Sequence, residues 1–176
     1  MGEPKALLSL GQETFLGRWL RLLEEARVEA VRIVLGRDAA TIRARVRLPD
    51  WQVVLQPHPE EGMLSSLRLG MDSLPAQLNG LFLCPVDHPR VESSLISRLA
   101  AAYQPGLVVV PVHAGRRGHP VLFAAELFPE LRAVPLEEGA RAVVRADPGR
   151  VIEVSAGVGV LTDIDTPAEY DSLQQD

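Results

Sequence analysis

The sequence predicts a three-layer α/β/α domain built on a mostly parallel sheet, and three observations carry that expectation. Short apolar runs at residues 30–35, 81–86 and 107–111 have the continuous Val, Ile and Leu content of strands buried on both faces. Segments with helical spacing of apolar residues lie between them, at residues 14–26, 62–71 and 94–103. Strand and helix therefore alternate without a tandem repeat, and that order favours right-handed crossovers with helices on both faces.

Taken in order, Phe15, Trp19, Leu20, Leu22 and Leu23 form the apolar stripe of a helix that starts near residues 12–14. The β-branched run at 30–35 ends at Gly36, after which Asp38 can cap a short helix through Arg45. Residues 51–55 read as a strand, 62–71 as a helix, and the next strand stops abruptly at Asp87-His88-Pro89. A helix at 94–103, a strand at 107–111 and a turn at 115–118 lead into a strand at 121–123. The last third predicts a helix at 139–146, short strands at 150–154 and 158–161, and a closing helix at 167–173 with Pro167 in its first turn. No shift in composition divides the chain, so residues 1–176 read as a single domain.

Composition narrows the class of function. A hydrophobic fraction of 47% with 23% charged residues is ordinary for a soluble globular chain. The formal net charge of -5 argues against nucleic-acid binding, which needs a basic face. One cysteine, Cys84, forbids an internal disulfide, and neither a signal-like segment nor a membrane-length apolar run is present, so the expected compartment is the cytoplasm. Cys84 itself reads as a buried strand residue, because nothing in the sequence marks an activating base for it.

Three segments concentrate charge with little bulk: the strand end at Asp87, the run Arg116-Arg117-Gly118-His119-Pro120, and Thr162-Asp163-Ile164-Asp165-Thr166-Pro167. Open α/β sheets bind ligands at the carboxyl ends of their strands, so Asp87 is a candidate Mg²⁺ ligand, with turn capping as the alternative. Asp163 and Asp165 alternate, and an extended backbone sends both to one side within reach of a common cation; Asp165 could instead cap the last helix. The guanidinium of Arg117 matches phosphate geometry, and Gly115 and Gly118 permit the tight turn that carries it. His88 reads as a loop residue. These groups together suggest a metal-and-phosphate site.

Five stretches now carry a family resemblance: Met1-Gly2-Glu3-Pro4-Lys5-Ala6-Leu7-Leu8, Gly62-Met63-Leu64-Ser65-Ser66-Leu67-Arg68, Pro85-Val86-Asp87-His88-Pro89, Arg117-Gly118-His119-Pro120-Val121-Leu122-Phe123 and Asp163-Ile164-Asp165-Thr166-Pro167. In this order, and over nearly the whole chain, they resemble the motifs of MobA-like nucleotidyltransferases of the molybdenum cofactor cytidylyltransferase type. The resemblance implies a glycosyltransferase-A-like (nucleotide-diphospho-sugar transferase) fold. It also implies an Mg²⁺-dependent enzyme that joins a nucleoside monophosphate to a phosphorylated acceptor. On this reading Asp87 and one of Asp163 and Asp165 hold the metal, Lys5 assists the leaving pyrophosphate, and Gly2, Lys5, Gly62, Ser65 and Ser66 bind the nucleotide. Arg117, Gly118 and His119 bind the acceptor. Taken without the resemblance, Lys5 is a solvated surface lysine and the two serines are donors at an ordinary helix start.

One departure from the family pattern is large. The family opens with a strand and a glycine-rich loop of the form LAAGxSxRMG, of which this chain has only Met1-Gly2. The expectation is a domain truncated at its amino end, without its first strand and most of the phosphate cradle, and with ladder groups exposed on the neighbouring strands. The Glu3-Pro4-Lys5 and Gly-Met-x-Ser-Ser-Leu patterns look like the cytidylyl branch, so CTP is the favoured nucleotide and molybdopterin a candidate acceptor. Two other readings stay open: a noncatalytic molybdopterin- or nucleotide-binding module serving a molybdoenzyme partner, and a sugar-phosphate nucleotidyltransferase. A dinucleotide-binding dehydrogenase is disfavoured, since no GxGxxG follows a first strand.

Overall fold

The computed structural model describes residues 2–175; Met1, the first residue of the amino-terminal motif, lies outside them. A 3₁₀ turn at Lys5–Leu7 precedes a small hairpin, β1 (Ser9–Leu10) and β2 (Glu13–Thr14), whose two-residue strands leave no periodic signature. The Thr14 hydroxyl then accepts from the Gly17 amide at 3.0 Å and starts α1 (Phe15–Glu25), whose buried stripe is Phe15, Leu16, Trp19, Leu22 and Leu23. This helix ends in a Schellman turn: Val28 donates to Leu23 O, Arg27 donates to Glu24 O, and Arg27 takes a left-handed φ of 56°.

β3 (Ile33–Leu35), α2 (Ala39–Arg45) and β4 (Val53–Leu55) form a strand–helix–strand unit in which β3 and β4 pair in parallel, Ile33 opposite Val53. Asp38 stands at the start of α2, but its side chain makes no capping bond there. After α3 (Met63–Asp72) comes β5 (Gly80–Leu83), then α4 (Leu95–Ala101), β6 (Val108–His113), β7 (Arg116–Arg117) and β8 (Val121–Ala124). The chain closes through α5 (Phe128–Ala133), α6 (Arg141–Ala146), β9 (Val151–Ser155) and α7 (Pro167–Gln175).

The larger sheet is mixed. β5, β6 and β9 run one way, and β8 is inserted between β5 and β6 in the opposite sense, with Leu81 opposite Phe123 and Val109 opposite Leu122. β8 is inverted because only a tight turn and the short β7 separate it from β6, which leaves no length for a crossover. Residues 158–161, expected as a strand, form a 3₁₀ turn instead. There the Val160 carbonyl accepts from the His119 amide at 2.9 Å rather than from a ladder partner. α5 was not expected, because six residues with a proline at the second position carry too short a pattern.

Side chains of the central strands alternate between two cores. Val108, Val110, Val121 and Phe123 pack with Leu64, Leu67 and Met71 of α3 and Leu131 of α5, while Val109 and Leu122 pack with Trp19 and Leu22 of α1 and Ile96 and Leu99 of α4. This alternation is the three-layer arrangement, and each fully buried Leu or Phe contributes roughly 1.5–3 kcal/mol relative to exposure. The two sheets do not join. The edge of β3 away from β4 and the edge of β5 away from β8 have no strand partner among the described residues, and a cleft of about 880 Å³ runs between them. Among the described residues no helix is long and apolar enough to cross a membrane.

Candidate active site

β5 delivers Asp87 to the carboxyl edge of the sheet, three residues past a run that ends at Cys84. The Asp87 carbonyl accepts from the Ile164 amide at 2.9 Å, which ties the Asp163–Asp165 segment to the strand end. Lys5, on the first 3₁₀ turn, lies between the two segments. Its Nζ stands 3.6 Å from Asp87 Oδ2 and donates to Asp165 Oδ1. Two carboxylates that reach one ammonium can reach one divalent cation. Among the described residues no three His, Cys, Asp or Glu side chains form a ready metal cage. Mg²⁺ suits such a site, since it takes one or two carboxylates and leaves its remaining positions to water and phosphate oxygens.

Charge is balanced around this pair. Burial opposes ionisation of Asp87, but the His88 hydrogen bond at 3.1 Å and the charges of His88 and Lys5 hold its carboxyl below the usual range. Burial also works against the Lys5 ammonium, and the Asp165 hydrogen bond and the charges of Asp87 and Asp165 outweigh it, raising its pKa. Asp165 does not cap the last helix. Thr166 and Glu169 do so as a capping box: Glu169 accepts from the Asp165 and Thr166 amides at 2.8 and 2.7 Å, and its own amide donates to Thr166 Oγ1 at 3.3 Å. The T-x-x-E spacing that makes this box is visible in the sequence. Asp163 is exposed and lines a separate cleft with Arg90, Thr162 and Glu169, so it is Asp165 that shares Lys5 with Asp87.

Two histidines extend the cluster. His88 is buried, with Nδ1 on Asp87, and is a positioning residue that sequence reasoning passed over as a loop residue; its place directly after the strand-end acid was the available signal. His119 packs edge-on against it, with ring centroids 4.9 Å apart at 71°. Burial, with the His88 charge, pushes the His119 pKa down to about 4 against the pull of Asp87 and Asp163, so the ring is neutral at neutral pH. Its Nδ1 is buried without a hydrogen-bond partner among the described residues. Gly118 permits this placement: a Cβ there would lie 2.2 Å from Val160 O. Arg117 is not a free guanidinium, since its Nε donates to Glu153 Oε1 at 2.8 Å.

The α3 start is built around a residue that the sequence did not single out. Gln56, buried where β4 ends, donates to Ser65 and Ser66 Oγ at 3.1 and 3.2 Å and accepts from the His58 amide at 3.0 Å; Ser65 also donates to Glu61 at 2.7 Å. Gly62 holds φ at 87°, a conformation that favours glycine, beside open space. Ser66 and Lys5 line the same cleft between β3 and β5, whereas Gly2 is exposed at the amino end, where an added Cβ would meet only open space. Cys84 is half-buried, just past β5, and desolvation pushes its thiol up to about 12, so it is inert as a nucleophile.

The model of the MobA-like NTP transferase domain matches residues 1–151. The chain belongs to the MobA-like NTP transferase family. Purine catabolism protein PucB of Bacillus subtilis (strain 168) is 25% identical over 186 residues, covering 99% of this chain and 90% of that protein. The crystal structure of Rv0371c from Mycobacterium tuberculosis H37Rv superposes with a TM-score of 0.83 at 26% identity, over 100% of this chain and 91% of the other. A manganese complex of Rv0371c matches at a TM-score of 0.80 and 25% identity, over 99% and 94%. At 20% identity a nucleotidyl transferase from Methanothermobacter thermautotroptrophicus shares the fold, with a TM-score of 0.79 over 97% and 83%. This MobA-like chain is thus of the nucleotidyltransferase class and has the nucleotide-sugar transferase fold.

Proposed function

We propose that this MobA-like protein transfers CMP from CTP to a phosphorylated acceptor of the molybdopterin type, releasing pyrophosphate. The observation that carries the reading is the simultaneous pairing of Lys5 with Asp87 and Asp165 at the carboxyl edge of the sheet. A phosphate oxygen of the acceptor attacks the α-phosphorus in line, forming the new P–O bond as the bond to the β-phosphate oxygen breaks. The electron pair leaves with pyrophosphate, and the Lys5 ammonium neutralises the charge that gathers there. Asp87 and Asp165 would hold Mg²⁺, which when bound orients the phosphates and lowers their charge. His88 fixes the Asp87 carboxylate, and no side-chain nucleophile is required, since positioning and electrostatics dominate phosphoryl transfer.

Ser66 borders the cleft where base and ribose would lie, Gly62 turns the chain into its helix, and the Gln56 network holds the serines in place. The Arg117–His119 hairpin is the acceptor side of the proposal, with Gly118 fixing its distance from the 158–161 turn. The choice of CTP rests on the Glu3-Pro4-Lys5 and Gly62-Met63 patterns. That of a cofactor-type acceptor rests on the resemblance of the motifs. Such chemistry belongs in the cytoplasm, where the nucleotide and the acceptor are made.

The test is Mg²⁺-dependent pyrophosphate release with CTP, GTP and ATP in parallel, in the presence of molybdopterin. CTP is expected to give the largest rate, and Asp87→Asn and Lys5→Met to lower it by about 100-fold or more. Equal rates with all three nucleotides would overturn the cytidylyl assignment. Tight molybdopterin binding with no pyrophosphate release would favour the noncatalytic binding module.

A further inference from the structure

The edge of β4 away from β3 is unprotected. Four large hydrophobic side chains stand exposed among the described residues, and three of them, Trp51, Leu55 and Met63, lie on or beside this strand. Val53-Val54-Leu55 carries no charge and no proline, whereas β9, which pairs with β6 alone among the described residues, has the exposed Glu153 at its centre. The Gln56 amide donates inward to Leu35 O. Alternation along the strand therefore turns the Val54 backbone groups toward β3 as well and leaves those of Val53 and Leu55 facing outward.

We propose that this edge is a homodimer interface, in which β4 pairs antiparallel with β4 of a second copy about a two-fold axis at Val54. The occupant is a second copy because the segment complements itself about that axis. Val53 of each chain comes opposite Leu55 of the other, so the outward N–H and C=O groups of both residues meet and each pair exchanges two hydrogen bonds. An axis at Leu55 would instead set Val53 against Pro57, which has no N–H to give. Charge follows the same symmetry. Beyond the strand, Asp50 comes alongside His58 of the other copy and Arg47 alongside Glu61, each contact is made twice, and all four side chains are exposed. Trp51 comes alongside Pro57, so the exposed apolar groups cover one another. A three-residue strand with this rim makes a small interface, of the size that gives weak, concentration-dependent association. The pairing is independent of the nucleotide chemistry, and it steadies the strand end that carries Gln56.

Sedimentation velocity of the 176-residue protein between about 1 and 300 µM is expected to show a monomer–dimer equilibrium. Leu55→Pro removes one outward donor from each copy at a position where an edge strand tolerates proline, and is expected to weaken association by about tenfold or more with an unchanged circular dichroism spectrum. Oxidative cross-linking reads the register. Val54→Cys faces itself across the axis in a non-hydrogen-bonded pair, about 4.5 Å between Cα atoms, and is expected to form a covalent dimer. Leu55→Cys faces Val53, and its twin lies beyond the ~7 Å that a disulfide spans, so it is expected to link at least about tenfold more slowly although Leu55 is the more exposed position. The unaltered protein, whose one cysteine is Cys84, supplies the background rate. A monomer throughout the concentration range overturns the proposal, as does a dimer that Leu55→Pro leaves unchanged, or Leu55→Cys linking as fast as Val54→Cys. Should Leu55→Pro fail to fold, the two cysteine variants decide by themselves.

Discussion

Lys5 occupies the same carboxylate oxygens that the proposed cation needs, so ammonium and metal compete for Asp87 and Asp165. Replacing Lys5 with Met is therefore expected to tighten Mn²⁺ binding by a few-fold, roughly the worth of a partly exposed ion pair, while it slows nucleotidyl transfer. Titration calorimetry of the variant with Mn²⁺ checks the first effect apart from the second. His119 makes a prediction of opposite origin. Its pKa is about 4 in the fold against 6.5 for an ordinary histidine, so below pH 6.5 the unfolded chain takes a proton that the native chain refuses. Stability is expected to fall by up to about 3 kcal/mol between pH 6.5 and 4, and His119→Gln to flatten that fall in urea unfolding curves measured across the range. Asp87, whose pKa is lowered, stabilises above its unfolded pKa and loses that contribution only as pH falls further, through its folded value. Asp87 stood out in the sequence because an acid at the end of an apolar run is a local pattern, whereas Lys5 stood out only through the resemblance of its motif to the family's. The resemblance placed one of Asp163 and Asp165 beside Asp87, but which of them meets Lys5 was not legible, because the contact spans 160 residues of chain. The Gln56 network was also invisible: a glutamine at the end of a strand gives no sign of burial until α3 is packed over it.

At the scale of elements, two positions store testable strain or fit. Arg27 adopts a left-handed conformation at the end of α1, where glycine has no steric penalty, and it is exposed. Arg27→Gly is expected to raise stability by about 0.5–1 kcal/mol, read as a higher urea midpoint at unchanged slope. Gly118 shows the reverse. A methyl group there meets the Val160 backbone at 2.2 Å, so Gly118→Ala must push the hairpin off the 158–161 turn. The expected cost is about 1–3 kcal/mol, with the His119 ring displaced from His88, which NMR of the two imidazoles would record. The helices and parallel strands with clear periods, α1, α3, α4, β3 and β6, match the expectations from residue spacing closely. The misses share one cause. The 158–161 turn, α5 and the β1–β2 hairpin are too short for a period, and tertiary bonds, such as that from His119 to Val160, decide their form.

For the whole molecule, the alternation of strand and helix was enough to predict three layers, and the structure supplies what periodicity could not: the inverted β8 and the cleft that separates two sheets. The cleft links architecture to chemistry, because Lys5, which pairs with Asp87 and Asp165, lines it. The most direct test of the central claim follows the α-phosphate. With labelled CTP, Mg²⁺ and molybdopterin, the protein is expected to move the label to the acceptor, and Asp87→Asn to abolish the transfer. A folded protein that leaves the label on CTP, or one whose transfer survives Asp87→Asn, would contradict the account.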